Sequence, residues 1–155
     1  MRTITLELLR HGPPNNHLLS PLTSYLALCE NHPAVTINVP FEHNQFLHRL
    51  NSLSYKFGQE TRNFDMHDMA QILGTLLGSI PGLAAELSRD DSNTERLTHL
   101  RLIVSASELA ILPFELAISP NGFPGAGQSV LLQSQVPLCI TREIRRVPEL
   151  SLIHI

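Results

Sequence analysis

Thiols are scarce in this chain: Cys29 and Cys139 are the only two in 155 residues, and they lie far apart. Neither has a second cysteine nearby, which excludes a disulfide framework or a cysteine-rich zinc site. A reduced, cytoplasmic setting is the expectation. Lysine is scarcer still. Lys56 stands alone beside ten arginines, and charged residues make up only 16 % of the chain, against about a quarter in ordinary domains. With a net charge of −3 there is no basic face of the kind nucleic-acid binders carry, so no nucleic-acid partner is expected. Long apolar runs are also missing. The most apolar stretch, Ile72 to Ala85, is broken by Gly74, Gly78 and Pro81, well short of the roughly 18 residues of a membrane span. The opening residues carry Glu7 inside their apolar part and no small-residue cleavage site, so neither a secretory signal nor a membrane partner is expected.

What is present is a core. Leu, Ile, Val and Phe supply about a third of the residues, enough for one folded domain over 1–155. Its organisation reads in three parts. A β-rich section covers 1–41. Thr3–Leu9 reads as a strand ended by the turn cluster at His11–Asn16. Tyr25–Cys29 and Val35–Val39 read as two strands joined tightly enough to form an antiparallel hairpin. A helical section covers 42–89. Phe46, Leu47, Leu50 and Leu53 share one face of a helix from about Glu42 to Tyr55. Asn63 or Asp65 is the expected cap of a second helix, with Met66, Met69, Ala70, Leu73, Leu76 and Leu77 as its buried stripe. Pro81–Gly82 breaks it, and Leu83–Leu87 continues as a short helix. Arg89–Thr94 reads as a surface loop.

A second β-rich section covers 98–155. Leu100, Leu102 and Val104 alternate with polar residues in one strand. Pro113 starts a helical turn at Phe114–Ala117. Residues 121–127 form a glycine-rich loop, Val136–Arg142 is a further strand, and Leu150–Ile155 reads as the beginning of another. An apolar, β-like ending needs cover. It calls for docking into the chain's own sheet or for partners in further sequence. The fold class is therefore α/β: a mixed sheet with two to three central helices.

No residue pattern assembles an active site. Cys29 and Cys139 sit in apolar strand contexts and read as small hydrophobes. The pairs His43/His48 and His11/His17 miss the i, i+4 spacing of helical zinc ligands, and His67–Asp68 has no third ligand nearby. Residues 122–127 lack the Lys-Ser/Thr of a phosphate loop, and Ser105 and Ser107 lack a Gly-x-Ser-x-Gly elbow. No catalytic, cofactor-binding or metal-ligating residue, and no cofactor, is assigned.

One pattern carries a resemblance. The strand LRLIVSA, the run Leu112-Pro113-Phe114-Glu115-Leu116, the glycine-rich loop and the strand ending Cys139-Ile140-Thr141-Arg142-Glu143 resemble the first part of a CHAT domain, a caspase-like cysteine peptidase family related to caspases and separases. Phe114 stands where tryptophan is commonest in that family. Residues 6–28, with their Gly-Pro-Pro and Leu-Leu-Ser-Pro-Leu-Thr, also resemble a leader found upstream in some members. The resemblance implies a caspase-like architecture in which Pro113–Leu116 is scaffold; read on its own chemistry, Glu115 suits the positive end of the helical turn and is placed to pair with an arginine such as Arg142. It further implies that the family's strand-end His and Cys lie in sequence beyond this chain. His11–Gly12 matches the family's dipeptide but not its order. The expected role is an N-terminal, non-catalytic portion of such a protein, in bacterial defence or cell death. Its partner would be the missing C-terminal half or another protein. The competing class is a stand-alone adaptor that adds a partner strand to an exposed β edge near Leu150–Ile155.

Overall fold

The computed structural model describes residues 2–10, 18–52, 59–88, 97–131 and 137–145. Among them run β1 (Arg2–Arg10), β2 (Ser24–Cys29), β3 (Val35–Asn38), α1 (His43–Ser52), α2 (Gln59–Gly78), α3 (Pro81–Leu87), β4 (Thr98–Val104) and β5 (Leu138–Ile144). Two short 3₁₀ turns, Ser107–Ile111 and Phe114–Leu116, lie between β4 and β5. The five strands form one mixed sheet in the order β3-β2-β1-β4-β5. β1, β4 and β5 are parallel, and β2 and β3 add antiparallel. The fold is α/β, as the alternation of apolar periods implies.

Period-2 patterning decides which face of the sheet is dry. Ile4, Leu6 and Leu8 of β1 align with Leu100, Leu102 and Val104 of β4, and all six are buried. Met69, Leu73 and Leu77 of α2, and Leu83 and Leu87 of α3, join the same cluster. All three helices therefore pack on one face. The expected β2–β3 hairpin is present, with Tyr25 opposite Ile37 and Ala27 opposite Val35. Its connection is held at Glu30, whose N–H donates to Thr5 O while its carboxylate accepts the Thr5 N–H at 2.6 Å.

Several boundaries move. Glu42 precedes α1, and its carboxylate accepts the N–H groups of Asn44 and Gln45 at 3.1 and 2.9 Å. Those two bonds hold its carboxyl below the usual range. Asn63 and Asp65 lie inside α2, which begins at Gln59. Propensity cannot choose among several polar residues that would each serve as a cap. Leu47 and Met66, assigned to buried stripes, are exposed at 42 % and 41 %. Each sits at the rim of its helical face, where spacing alone does not tell core from edge. Pro81 opens α3 rather than only ending α2, because the first turn does not use its missing N–H. β5 begins at Leu138 and reaches Ile144, two residues beyond the expected end. The stretches at Leu53–Tyr55, Arg89–Thr94 and Leu150–Ile155 lie outside the described residues.

α2 approaches the second half of the chain closely at Gly74. A Cβ there would lie 2.0 Å from Ile118 O. The neighbouring Ala70 O accepts the Ile118 N–H at 3.1 Å. The helix is thus bonded through its backbone to the segment that follows the second 3₁₀ turn, and only glycine permits that distance.

Candidate functional site

Parallel strands direct their C-terminal ends to one edge of the sheet, where open α/β folds place ligands. Here β1 ends at Arg10, β4 at Val104 and β5 at Ile144. Ser105 follows β4 directly, and its Oγ accepts the Arg10 N–H at 3.3 Å. Beside it Glu108 is buried at 3 % exposure. One carboxylate oxygen takes the Arg10 guanidinium, and the other accepts the phenolic O–H of Tyr25 at 2.8 Å. Tyr25 is itself completely buried.

The charge states follow from these contacts. Burial is the largest single influence on Glu108 and alone would raise its carboxyl. The Arg10 guanidinium, its own backbone N–H and the Tyr25 hydroxyl together outweigh it and hold the group below the usual range. Burial, then the hydrogen bond and charge of Glu108, push the Tyr25 phenol well above its ordinary value. Both Glu108 oxygens are engaged, one by Arg10 and the other by Tyr25. The trio is a strut joining β1, β2 and the first 3₁₀ turn. It escaped the sequence reading because its members lie 98 and 83 positions apart. The one available signal was an acidic residue inside the apolar stretch Ala106–Leu112.

The Pro113–Leu116 run is held by a second arginine. Arg142 of β5 pairs with Glu115 through two nitrogens, one of them at 3.2 Å. It also donates to Ala110 O at 2.8 Å and lies 5.9 Å from the Phe114 ring centroid. Phe114 is buried. The pairing of Glu115 with Arg142, expected from the motif, is therefore formed, and one side chain grips both 3₁₀ turns.

The other candidates fall apart spatially. Cys29 is buried beneath the hairpin turn, and burial first, then Glu86 and Glu30, push its thiol up to about 12. Cys139 is half-buried on β5. No described histidine hydrogen-bonds either sulfur. His43 Nδ1 accepts the Leu19 N–H at 3.2 Å, His32 meets Glu86 at 3.2 Å, and His99 meets Thr141 at 2.5 Å. Each is a local tie between elements. His48 and His67 are exposed, and His11 and His17 lie outside the described residues. Among the described residues no three His, Cys, Asp or Glu side chains come together to hold a metal.

A cleft of about 470 Å³ runs between β3 and α2, past Asn38, Gln71, Thr75 and Ser79. Thr75 and Ser79 donate their hydroxyls to helix carbonyls at 2.9 and 2.5 Å, so neither is poised as a nucleophile. Among the described residues no single helix is long and apolar enough to cross a membrane. Met66–Gly78 and Pro81–Leu87 pass that test only as a pair bent by 92°, and Met69, Leu73, Leu76, Leu77, Leu83 and Leu87 of that pair belong to the core. Comparison with family models, with curated proteins and with solved structures returns no match.

Proposed function

We propose that this chain is the N-terminal, non-catalytic portion of a CHAT-type caspase-like protein, a scaffold supporting a Cys–His peptidase half that lies outside it. The observation that carries the reading is the Arg142 clamp. The run behind the resemblance contains the 3₁₀ turn Phe114–Leu116 with Phe114 buried, and Arg142, inside the next strand rather than at its end, pairs with its glutamate. The parallel run β1-β4-β5 beside an antiparallel hairpin is an arrangement to which further parallel strands can be added. On this reading the reaction, cysteine-dependent peptide-bond cleavage through a thioester, belongs to the missing half. The protein works in the cytoplasm, in bacterial defence or cell death, and binds protein rather than nucleic acid or membrane.

The second reading is a stand-alone adaptor that adds a partner strand to its sheet. The outer edge of β5, which no strand pairs among the described residues, favours it. Size-exclusion chromatography with light scattering distinguishes the two. The 155-residue chain is run alone and mixed with the polypeptide encoded by the adjoining downstream sequence. A defined complex with cysteine-peptidase activity is expected from the scaffold reading. A stable monomer that ignores the downstream product would sink it and leave the adaptor.

A further inference from the structure

The segment 118–130 joins the helical section to the second β-rich section, and its backbone is pinned at several points. The Ile118 N–H donates to Ala70 O at 3.1 Å and the Val130 N–H to Ala117 O at 2.9 Å. The Ser119 N–H donates to Gln128 O, and Ser119 O accepts the Gly127 N–H, both at 2.8 Å. Within this frame Phe123 is buried and belongs to the core. A turn just before it sets it there. Pro120 O accepts the Phe123 N–H at 3.1 Å. Gly122 O accepts the hydroxyl of Ser88, the residue that closes α3, at 3.2 Å.

The two central residues of that turn are Asn121 and Gly122, and both are exposed. Gly122 has a φ of 96°, which suits glycine at the third position of such a turn. An asparagine followed by glycine carries a chemical liability. The side-chain amide carbon of asparagine can close a ring with the backbone nitrogen of the next residue. A side chain on that next residue screens the nitrogen, and glycine has none. Asn121 is the one asparagine in the sequence that glycine follows. A Cβ on Gly122 would meet nothing within 4 Å, so the space beside it is open. Among the described residues the Gly122 N–H donates to no backbone carbonyl.

Other asparagines lack this combination. Asn38 has its amide nitrogen bonded to Thr23 O at 3.2 Å and Ser24 Oγ at 3.3 Å, and β-branched Val39 follows it. Asn31 precedes His32, whose N–H is held by Cys29 O at 3.0 Å. Asn44 precedes Gln45, whose N–H is held by the Glu42 carboxylate at 2.9 Å.

The geometry points to Asn121–Gly122 as a self-modification site, at which asparagine converts to isoaspartate and loosens Phe123 from the core. Solvent base takes the Gly122 amide proton, and the nitrogen attacks Asn121 Cγ. The new N–Cγ bond forms as Cγ–Nδ2 breaks and ammonia leaves, giving a succinimide. Water then opens the ring at either carbonyl, with no oxidation or reduction. Opening at Cγ gives aspartate. Opening at the former backbone carbonyl gives isoaspartate, with the main chain now running through Cβ and Cγ. Both products add a negative charge at an exposed position. Isoaspartate also adds one carbon to the main chain between Pro120 and Phe123, about 1.5 Å of extra length. The segment is pinned on both sides of the turn, so the added length falls on the Phe123–Pro120 and Ser88–Gly122 bonds.

The test uses the full 155-residue chain, kept folded at mildly alkaline pH and sampled by peptide mapping that separates aspartate from isoaspartate. Asn121 should convert about tenfold or more faster than Asn38 or Asn44, a barrier lower by about 1.4 kcal/mol. Mildly acidic pH should slow it, because the attacking nitrogen must lose its proton. In the isoaspartate form the Phe123 amide should exchange at least about tenfold faster than in the fresh chain. Asn121→Asp, examined fresh, has the charge without the extra carbon and should keep the slow exchange. Asn121→Gln, which would have to close a larger ring, should stay unmodified over the same period. Conversion at Asn121 no faster than at Asn38 and Asn44, or seen only after urea unfolding, would overturn the inference, since the turn would then protect the site. So would an isoaspartate form whose Phe123 amide exchanges as slowly as before, or a fresh Asn121→Asp chain in which it is already fast.

Discussion

Replacing Gly74 by alanine tests the close approach of α2 to Ile118. Two opposing terms can be estimated. Alanine in a helix interior is favoured over glycine by about 1 kcal/mol, so substitution on an open helix face would stabilise. Here the new methyl would meet Ile118 O at 2.0 Å. An ordinary contact is about 3.4 Å or more, so the two backbones must part by more than about 1 Å. Overpacking of that kind costs about 1–3 kcal/mol. Parting them also stretches the 3.1 Å bond from the Ile118 N–H to Ala70 O, worth about another 1 kcal/mol. The net expectation is a loss of about 1–3 kcal/mol, or a Tm lower by roughly 3–10 °C for a chain of this size. Gly78→Ala is the internal control. Its methyl would meet Pro120 Cγ and Cβ at 2.9 and 3.0 Å, a much smaller overlap than the one at Ile118 O, so it should cost clearly less than Gly74→Ala. Urea unfolding of the two variants side by side provides the measurement. Equal stability of Gly74→Ala and Gly78→Ala, or a Gly74→Ala variant as stable as the original, would refute the close approach of α2 to Ile118.

Three further predictions concern the buried groups. Glu108 has its carboxyl held low, so the stability it contributes is present above the ordinary glutamate range and lost as pH falls through its folded value. Glu108→Gln should flatten that acid limb of a stability-against-pH curve and cost about 3 kcal/mol at neutral pH, since Arg10 loses its partner. Tyr25 works in the opposite direction. Its phenol is held neutral, so its contribution is intact below about pH 10 and falls as pH rises further. Tyr25→Phe should therefore remove part of the alkaline loss seen by circular dichroism, at a cost of about 1 kcal/mol at pH 7. Cys29, buried and with its thiol pushed up to about 12, should resist a thiol reagent at pH 8 until the protein unfolds, whereas half-buried Cys139 reacts in the native state. Mass spectrometry of the labelled peptides will tell them apart, and early labelling at Cys29 would contradict its burial.

Most of the architecture was legible in the sequence because its elements carry their periods locally. TITLELL, YLALC and VTINV alternate or run apolar over strand lengths, and turn residues close each one. Leu100–Val104 shows the same pattern, and the structure places all four as strands in one sheet. The α2 stripe of Met69, Leu73, Leu76 and Leu77 was equally plain. The ends were less so. Met66 and Leu47 sit on the margins of helical faces, where spacing is the same inside the core and at its rim. Pro81 both ends one helix and opens the next, and composition alone does not say which.

The candidate site divides the same way. The local run Leu112–Leu116 marked a turn, and its glutamate beside a later arginine suggested the Arg142 pair. The Arg10–Glu108–Tyr25 strut was invisible, because its members meet only after β1 pairs with both β2 and β4. The exposure of Ile144 was hidden for a like reason. Ile144 falls beyond the strand expected over Val136–Arg142, and only the order of the strands places it in the outermost row among the described residues. By itself the sequence determined the kinds of element, the hairpin and the apolar faces, since these follow from backbone geometry and from spacing within a few residues. Tertiary structure alone decided the order of the strands among the described residues, which charges are neutralised inside, and that Gly74 must lack a side chain. Those properties depend on neighbours far away in the chain, and no local pattern encodes them.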